Sequence, residues 1–176
     1  MSRVRGRIFS VGAVNWKSVI SIFILSFVIS ISIFRLAPSA GQGFSVVVSV
    51  VVVVLITALL LTARIRIEAD ALVAGGGFYR VRVPLQEIDV DAARLVRADD
   101  NFSLRWRSNG LGWPGLNLGW FSGTGSKRVF AVDTCRARRV LIPTSETFDL
   151  LLTPTDPARF LAALAEAKAE HAGCHN

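Results

Sequence analysis

Residue types that could carry out chemistry are few in this chain and lie far apart. The two histidines, His171 and His175, flank Cys174 near the C-terminus, and all three are zinc-ligand types. A chain end seldom holds ligands in a fixed geometry, so we expect no metal site there. Asp89 and Asp91 fall on one side of a predicted strand, but paired carboxylates catalyse only where a pocket separates their pKa values, and nothing in the sequence indicates one. We therefore predict a non-enzymatic protein without a cofactor.

A cluster of arginines is the first candidate for binding. Arg136, Arg138 and Arg139 place three positive charges within four residues at a predicted connection between strands. The guanidinium group presents a fork of donors that suits phosphate recognition. A run of charges is more often a solvated turn, and we keep both interpretations open.

A segment rich in glycine and aromatic residues is the second candidate. Residues 110–125 contain six glycines, which favours a long loop or a bulged segment over a regular interior strand. The segment also carries Trp113, Trp120 and Phe121. Large aromatic side chains on a loop mark an interface or the boundary of a bilayer, but in a small barrel they equally fill the core. Both interpretations stay open.

Two uncharged stretches before these candidates predict a transmembrane helical hairpin over residues 18–63. Residues 44–63 carry no charge, and twenty residues of helix rise about 30 Å, the thickness of the bilayer's hydrocarbon core. Residues 18–34 are likewise uncharged, and Trp16 and Lys17 before them are typical of a membrane interface. We expect helices over about 18–36 and 44–63, joined by a turn.

The distribution of charge predicts the orientation of this hairpin. Four basic residues precede the first stretch, the turn over residues 36–43 has no charge, and Arg64 and Arg66 follow the second stretch. The positive-inside rule then places both termini in the cytoplasm, with residues 1–17 as a basic arm at the inner membrane. The alternative is a secretory signal peptide cleaved near Ser39. Two features argue against it: the apolar stretch is long for a signal peptide, and Arg35 lies between that stretch and the cleavage site.

The charge balance also bears on the choice of partner. The formal net charge is +7, but five basic residues and no acidic residue lie before Phe44, so the chain from Arg64 onward has a net charge of only +2. Nucleic-acid binding is therefore not expected. The basic excess lies beside the membrane, where it sets topology and can meet anionic lipid.

From Arg64 onward the pattern predicts a mainly-β domain over residues 64–170. Arg64–Asp70 alternates charged and apolar side chains, as a half-buried strand does. Asp156 and Pro157 suit the N-cap and first position of a helix whose apolar stripe is Phe160, Leu161 and Leu164. We predict a small barrel or sandwich capped by this C-terminal helix, with residues 171–176 as a flexible tail. The other predicted strands are 72–74, 78–83, an irregular one within 85–96, 102–107, 127–133, 139–142 and 147–152.

Three sets of residues carry a resemblance to a known family: Arg80–Ile88 (RVRVPLQEI), Trp113–Gly115 with Gly119–Phe121, and Thr153–Pro157 leading to Phe160 and Leu164. Together with the order of two apolar spans, short strands and a closing helix, they resemble bacterial membrane proteins that carry a pleckstrin-homology-like domain. The resemblance covers most of residues 64–168. It implies a pleckstrin-homology fold, membrane association and no established catalytic residues.

We therefore expect an integral membrane protein whose cytoplasmic domain is a binding or scaffolding module. A protein partner is preferred, because a domain with a net charge of only +2 is a poor general binder of anionic lipid. Recognition of a lipid headgroup and a role as accessory subunit of a membrane enzyme or transporter are the alternatives. Neither uncharged stretch, residues 18–34 or 44–63, contains an ionisable residue, which argues against a transport or catalytic site within the membrane.

Overall fold

A computed structural model describes residues 7–11, 62–96, 100, 102, 104–113, 116–123, 127–134 and 138–173, together with isolated residues between 20 and 55. In these ranges the chain forms two sheets and one long helix, α1. Leu85–Glu87 form a single 3₁₀ turn. The strands are β1 Arg7–Ser10, β2 Arg64–Ile67, β3 Ala71–Gly76, β4 Tyr79–Pro84, β5 Arg94–Val96, β6 Arg107–Trp113, β7 Leu116–Ser122, β8 Arg128–Asp133, β9 Arg139–Ile142 and β10 Phe148–Leu152, and α1 is Pro157–Gly173.

The first sheet has the order β1-β2-β3-β4 and is antiparallel throughout. In β2 the isoleucines Ile65 and Ile67 are buried while Arg64 and Arg66 are exposed, so the predicted half-buried strand is confirmed. The strand is shorter than predicted. It ends at Ile67, because the chain turns at residues 68–70, where the Glu68 N–H donates to the Ala71 carbonyl at 2.8 Å.

The structure describes residues 7–11 of the predicted basic arm over residues 1–17. Residues 7–10 are strand β1, which pairs with β2, and Val11 bridges to Pro154 beyond it. Packing explains why: the Phe9 ring meets the Phe160 ring edge to face at 5.4 Å between centroids. The contact of this half-buried aromatic side chain with α1 favours an ordered strand here.

The second sheet has the order β5-β9-β10-β8-β7-β6, with β10 and β8 parallel and every other pair antiparallel. Its central strand β8 is buried on both faces. Phe130 and Val132 join the main core beneath α1, whereas Val129 and Ala131 join a smaller cluster on the opposite face. The mainly-β sandwich with a C-terminal helix is thus confirmed.

The glycine-rich segment is a β-hairpin, which corrects the prediction of a long loop over residues 110–125. Strands β6 and β7 pair in regular register from Asn109 to Trp113, and the one irregularity of the pair, between Arg107 and Asn109, lies before the glycine-rich segment. Gly110 has φ +147°, and a Cβ atom there would lie 2.3 Å from the Leu118 carbonyl oxygen. The glycines therefore allow the two backbones to approach where a side chain would collide.

Residues 102–107 do not form the predicted strand, since β6 begins only at Arg107. Phe102 and Leu104 pack against the smaller core cluster, whereas Trp106 is 81% exposed. Trp106 therefore does not share the buried environment of Phe102 and Leu104. The backbone nevertheless stays beside β7, because the Arg105 N–H donates to the Ser122 carbonyl and the Ser122 N–H donates to the Trp106 carbonyl, each at 2.8 Å.

The helix α1 begins as predicted and ends later than predicted. The Arg159 N–H donates to Asp156 Oδ1 at 3.1 Å, which confirms Asp156 as the N-cap. Phe160 and Leu164 are fully buried. The helix continues to Gly173, because Lys168 Nζ donates to the Ile88 carbonyl at 2.6 Å and His171 Nε2 lies 3.2 Å from Gln86 Nε2. The predicted flexible tail is thus helical over residues 171–173, and residues 174–176 lie outside the described residues.

The predicted transmembrane hairpin over residues 18–63 lies mostly outside the described residues. Among the residues that the structure does describe, no helix is both long enough and apolar enough to span a bilayer. The isolated residues described in this stretch are helical. Between two of them, Ser32 Oγ–H donates to the Val28 carbonyl four residues earlier at 2.8 Å, a bond typical of serine within a helix.

Replacing Leu164 with alanine tests the packing of α1. Leu164 is fully buried, so Leu164→Ala should lower the free energy of unfolding of the full chain by about 2–5 kcal/mol. Leu95 is 52% exposed, and Leu95→Ala should change the stability by less than about 0.5 kcal/mol. Denaturant unfolding in detergent, followed by tryptophan fluorescence, measures both. Equal midpoints for the two variants would contradict the packing of the helix.

Candidate functional site

The arginine cluster predicted as a phosphate site is divided by the fold. Arg139 makes a two-pronged ion pair with Asp133, with Nε 3.1 Å from Oδ1 and Nη2 2.5 Å from Oδ2. The two side chains are only 11% and 3% exposed, and Asn117 Nδ2 donates to Asp133 Oδ2 at 3.1 Å. This buried pair joins the end of β8 to the start of β9, so the Arg139 guanidinium group is committed to the fold.

The other two arginines do not restore the cluster. Arg138 is exposed, and its Nη1 donates to the Thr155 carbonyl at 2.7 Å, which attaches the β8–β9 connection to the residues before α1. Arg136 lies outside the described residues. The predicted role of Arg136 in binding thus stays a prediction, and Arg138 and Arg139 each hold a different part of the domain.

Two of the three aromatic candidates belong to the core. Phe121 is 4% exposed and lies in the smaller core cluster. Trp120 is half-buried, with the rings of Phe130 and Phe148 edge-on to it at 5.1 and 5.0 Å between centroids, and the Arg128 guanidinium carbon lies 4.9 Å from its ring centre. For these two residues the core interpretation is correct. The backbone of Trp113 pairs with Leu116 at the end of the hairpin, and its predicted contact with a partner stays a prediction.

The remaining sequence candidates do not assemble into a chemical site. Asp89 Oδ1 accepts a hydrogen bond from the Ala92 N–H at 3.0 Å, as an aspartate in a turn does. His171 lies beside Gln86, while Cys174 and His175 fall outside the described residues. Within the described part of the chain, no three His, Cys, Asp or Glu side chains are grouped so that they could hold a metal ion.

A groove between β1 and the first half of α1 is a concave site within the described part of the chain. Its volume is about 630 Å³, and small side chains, Ala162 and Ala163, form its helical side. One end is closed by β1 itself: Ser10 Oγ lies 2.9 Å from Thr155 Oγ1, and the Thr155 N–H donates to the Ser10 carbonyl at 3.1 Å. The side chain of Ile8, 61% exposed, lies on the groove's strand side.

Charges on the groove wall are partly paired. Arg7 Nη1 lies 2.5 Å from Glu166 Oε2, with both side chains about half exposed. The hydrogen bond from Arg7, and then its charge, lower the pKa of Glu166, and the same contacts raise the pKa of Arg7. Such an exposed pair adds little stability. Arg159 also lines the groove, and no carboxylate among the described residues forms an ion pair with it.

The groove could not be predicted from the sequence, because one of its walls comes from the N-terminal segment. Residues 7–10 are a strand of four residues, too short for an alternating pattern to stand out. The available signal was Phe9, a large aromatic side chain within an otherwise basic segment.

Comparison with known proteins agrees with this architecture. Residues 63–168, more than half of the chain, match the family described as Bacterial PH domain. The chain belongs to the bacterial PH domain family. No curated protein and no solved structure matches it at a significant level. PH domains are generally non-catalytic binding modules, and no enzyme family is indicated.

The limits of the family match show which part of the groove is an addition to the PH domain. The matched residues begin at Ala63, immediately before β2, and end at Lys168 within α1. Strand β1 lies outside the match, yet it pairs with β2 and packs on α1. The groove therefore lies between the PH domain and a strand contributed by the preceding segment.

Substitution of Arg139 tests whether its side chain stabilises the fold or binds a ligand. Arg139→Ala leaves the Asp133 carboxylate buried without its partner, so the free energy of unfolding should fall by about 3–5 kcal/mol. Arg138→Ala removes one exposed bond to a carbonyl and should cost about 1 kcal/mol or less. Denaturant unfolding compares the two variants. If Arg139→Ala leaves the stability unchanged and weakens the binding of inorganic phosphate, Arg139 is part of a phosphate site and not a structural residue.

Proposed function

We propose that this PH protein is a membrane-anchored, non-catalytic binding or scaffolding module at the cytoplasmic face of the inner membrane. The observation that carries the proposal is the pairing of Ser10 with Arg64 in neighbouring strands. Paired residues in an antiparallel sheet have Cα atoms about 5 Å apart. The apolar segment between them therefore leaves the domain and returns at the same place. A segment constrained in this way crosses a bilayer an even number of times, as a hairpin does.

The exposure of the apolar side chains supports the anchor. Val47, Val50 and Val54 are among the described helical residues, and they are 60%, 55% and 59% exposed. Valines exposed along one segment are unfavourable in water, whereas lipid would cover them. Together with the basic residues on both flanks, this supports a transmembrane hairpin whose two ends face the cytoplasm.

Labelling of single cysteines tests the anchor and its orientation. In a variant that keeps only a cysteine introduced by Ser39→Cys, an impermeant maleimide should label whole cells. In a variant that keeps only Cys174, labelling should require permeabilised cells. Carbonate washing should leave both variants in the membrane fraction. Labelling of Cys174 but not of the Ser39→Cys site in intact cells, or release by carbonate, would contradict the proposal.

We further propose that the groove beside β1 receives an extended segment of a protein partner. The Ser10 carbonyl faces Thr155, away from β2, and backbone groups alternate along a strand, so the N–H and C=O of Ile8 share that outer edge. Such an edge can accept another strand, while pockets beside it select side chains. Ala162 and Ala163 leave room for apolar side chains on the helical side.

The charges of the groove favour an acidic residue in the partner. Two carboxylates line the groove, but Asp156 caps α1 and Glu166 is paired with Arg7. The Arg159 guanidinium group is therefore the charged group of the groove for which no ion-pair partner is described. A carboxylate in the partner segment would complement it. The lipid-headgroup and accessory-subunit alternatives predict different occupants, so identifying the occupant separates them.

Photocrosslinking from the groove tests this proposal. A benzophenone side chain at position 8 in the full chain should give a discrete protein adduct in native membranes. Ala162→Trp fills the groove and should abolish the adduct. Ala165→Trp places the same bulk at an exposed position of α1 outside the groove and should leave it unchanged. A lipid adduct, or a protein adduct that Ala162→Trp does not affect, would overturn the proposal. An adduct with a membrane enzyme or transporter would indicate an accessory subunit.

A further inference from the structure

Phe78 is the most exposed large hydrophobic side chain among the described residues. It lies in the turn between β3 and β4 and is 92% exposed. A phenylalanine at the tip of a hairpin contributes nothing to the core, and leaving it in water is unfavourable. Its position relative to the apolar segment gives it a role.

Strand register places this turn level with the end of the apolar segment. Gly75 pairs with Arg64, so Gly76 lies beside Ala63 and Phe78 lies farther along the same direction, level with Thr62 or beyond. The close approach is direct: a Cβ atom on Gly76 would lie 2.6 Å from the Ala63 nitrogen. Thr62 is helical and belongs to the apolar stretch 44–63. The tip of the β3–β4 hairpin therefore lies against the point where the apolar segment enters the domain.

The charges on this sheet are distributed unevenly along its strands. Arg64, Gly75 and Arg80 form one row across β2, β3 and β4, on the exposed face beside Phe78. No described carboxylate pairs with either arginine.

The acidic residues lie at the other end of the sheet. There Arg82 is paired with Glu68 at 2.8 Å and with Asp70 at 2.7 Å. The positive end of the exposed face is thus the end next to the apolar segment, where a negative partner would be attracted.

We infer that the β3–β4 hairpin contacts the membrane surface: Phe78 enters the interfacial layer of the bilayer, and Arg64 and Arg80 contact anionic phospholipid headgroups. The inference rests on the proposed membrane anchor. The anchor alone would leave the PH domain free to tilt about residue 63. A second contact at Phe78, beside the point of attachment, restricts that tilt and presents the domain in one orientation. Aromatic and basic side chains are the types that settle at this depth of a bilayer.

A probe at position 78 tests the contact in the full chain. In a background with Cys135→Ser and Cys174→Ser, Phe78→Cys carries an environment-sensitive fluorophore, and the protein is reconstituted into phosphatidylcholine vesicles with or without phosphatidylglycerol. Ala69→Cys is the matched control, because Ala69 is exposed at the opposite end of β3, about 20 Å away. The probe at position 78 should be blue-shifted and quenched by nitroxide lipids, whereas the probe at position 69 should be quenched by aqueous iodide.

Charge variants separate the role of the arginines from that of Phe78. Arg64→Gln with Arg80→Gln should remove any increase in nitroxide quenching at position 78 that phosphatidylglycerol causes. Arg94→Gln with Arg105→Gln removes the same charge from exposed positions outside this sheet and should leave that increase intact. An increase that survives in the first double variant would overturn the part of the inference that assigns headgroup contact to Arg64 and Arg80.

Flotation distinguishes failure of this inference from failure of the anchor. If the reconstituted chain floats with the vesicles after a carbonate wash, but iodide reaches the probe at position 78 as readily as the probe at position 69, the hairpin contact is wrong and the anchor stands. If the chain does not float, the anchor itself is wrong and the inference falls with it.

Discussion

The pairing of β1 with β2 is the constraint on which the rest of this structure depends. It joins a strand before the apolar segment to the strand after it, with Ser10 opposite Arg64. The pairing is reinforced at three of the four positions of β1: Phe9 packs on Phe160, Ser10 bonds to Thr155, and Arg7 pairs with Glu166. Closing so long a segment costs entropy, but that cost grows only slowly with length. A few contacts can therefore hold both ends together.

This closure gives the PH domain features that its family match alone does not contain. The matched residues begin at Ala63, so the first strand of the sheet and one wall of the groove come from outside the match. The β3–β4 hairpin lies beside the entry of the apolar segment for a different reason: β3 pairs with β2, and Gly76 lies against the Ala63 backbone. The groove and the hairpin tip are thus distinct surfaces of one sheet.

Polar groups inside the domain serve its architecture. The buried pair of Asp133 and Arg139, with Asn117 beside it, joins strands of the second sheet. Thr153 Oγ1 donates to the Val132 carbonyl at 3.0 Å and accepts from the Thr134 N–H at 2.9 Å, which holds the end of β10 against β8. Buried polar groups must be satisfied, because an unpaired one costs more than a hydrogen bond returns.

The sequence by itself determined the local features of this protein. The alternation of Arg64–Ile67, the cap at Asp156 and the buried stripe of Phe160 and Leu164 could all be predicted, because each depends on residues near one another in the chain. The PH family could also be recognised from the order of its segments. These are properties of propensity, spacing and periodicity.

Only the tertiary structure decided which of the marked residues are available for binding. Arg139 and Phe121 are residue types that are common in binding sites, yet packing against residues distant in sequence buries them. Conversely, β1 and Phe78 carried weak local signals: β1 is placed by pairing with β2 across the whole apolar segment, and Phe78 by the register of β3 on β2. Whether a side chain is exposed depends on contacts with residues distant in sequence, and those contacts are formed only when the sheets and the helix pack together.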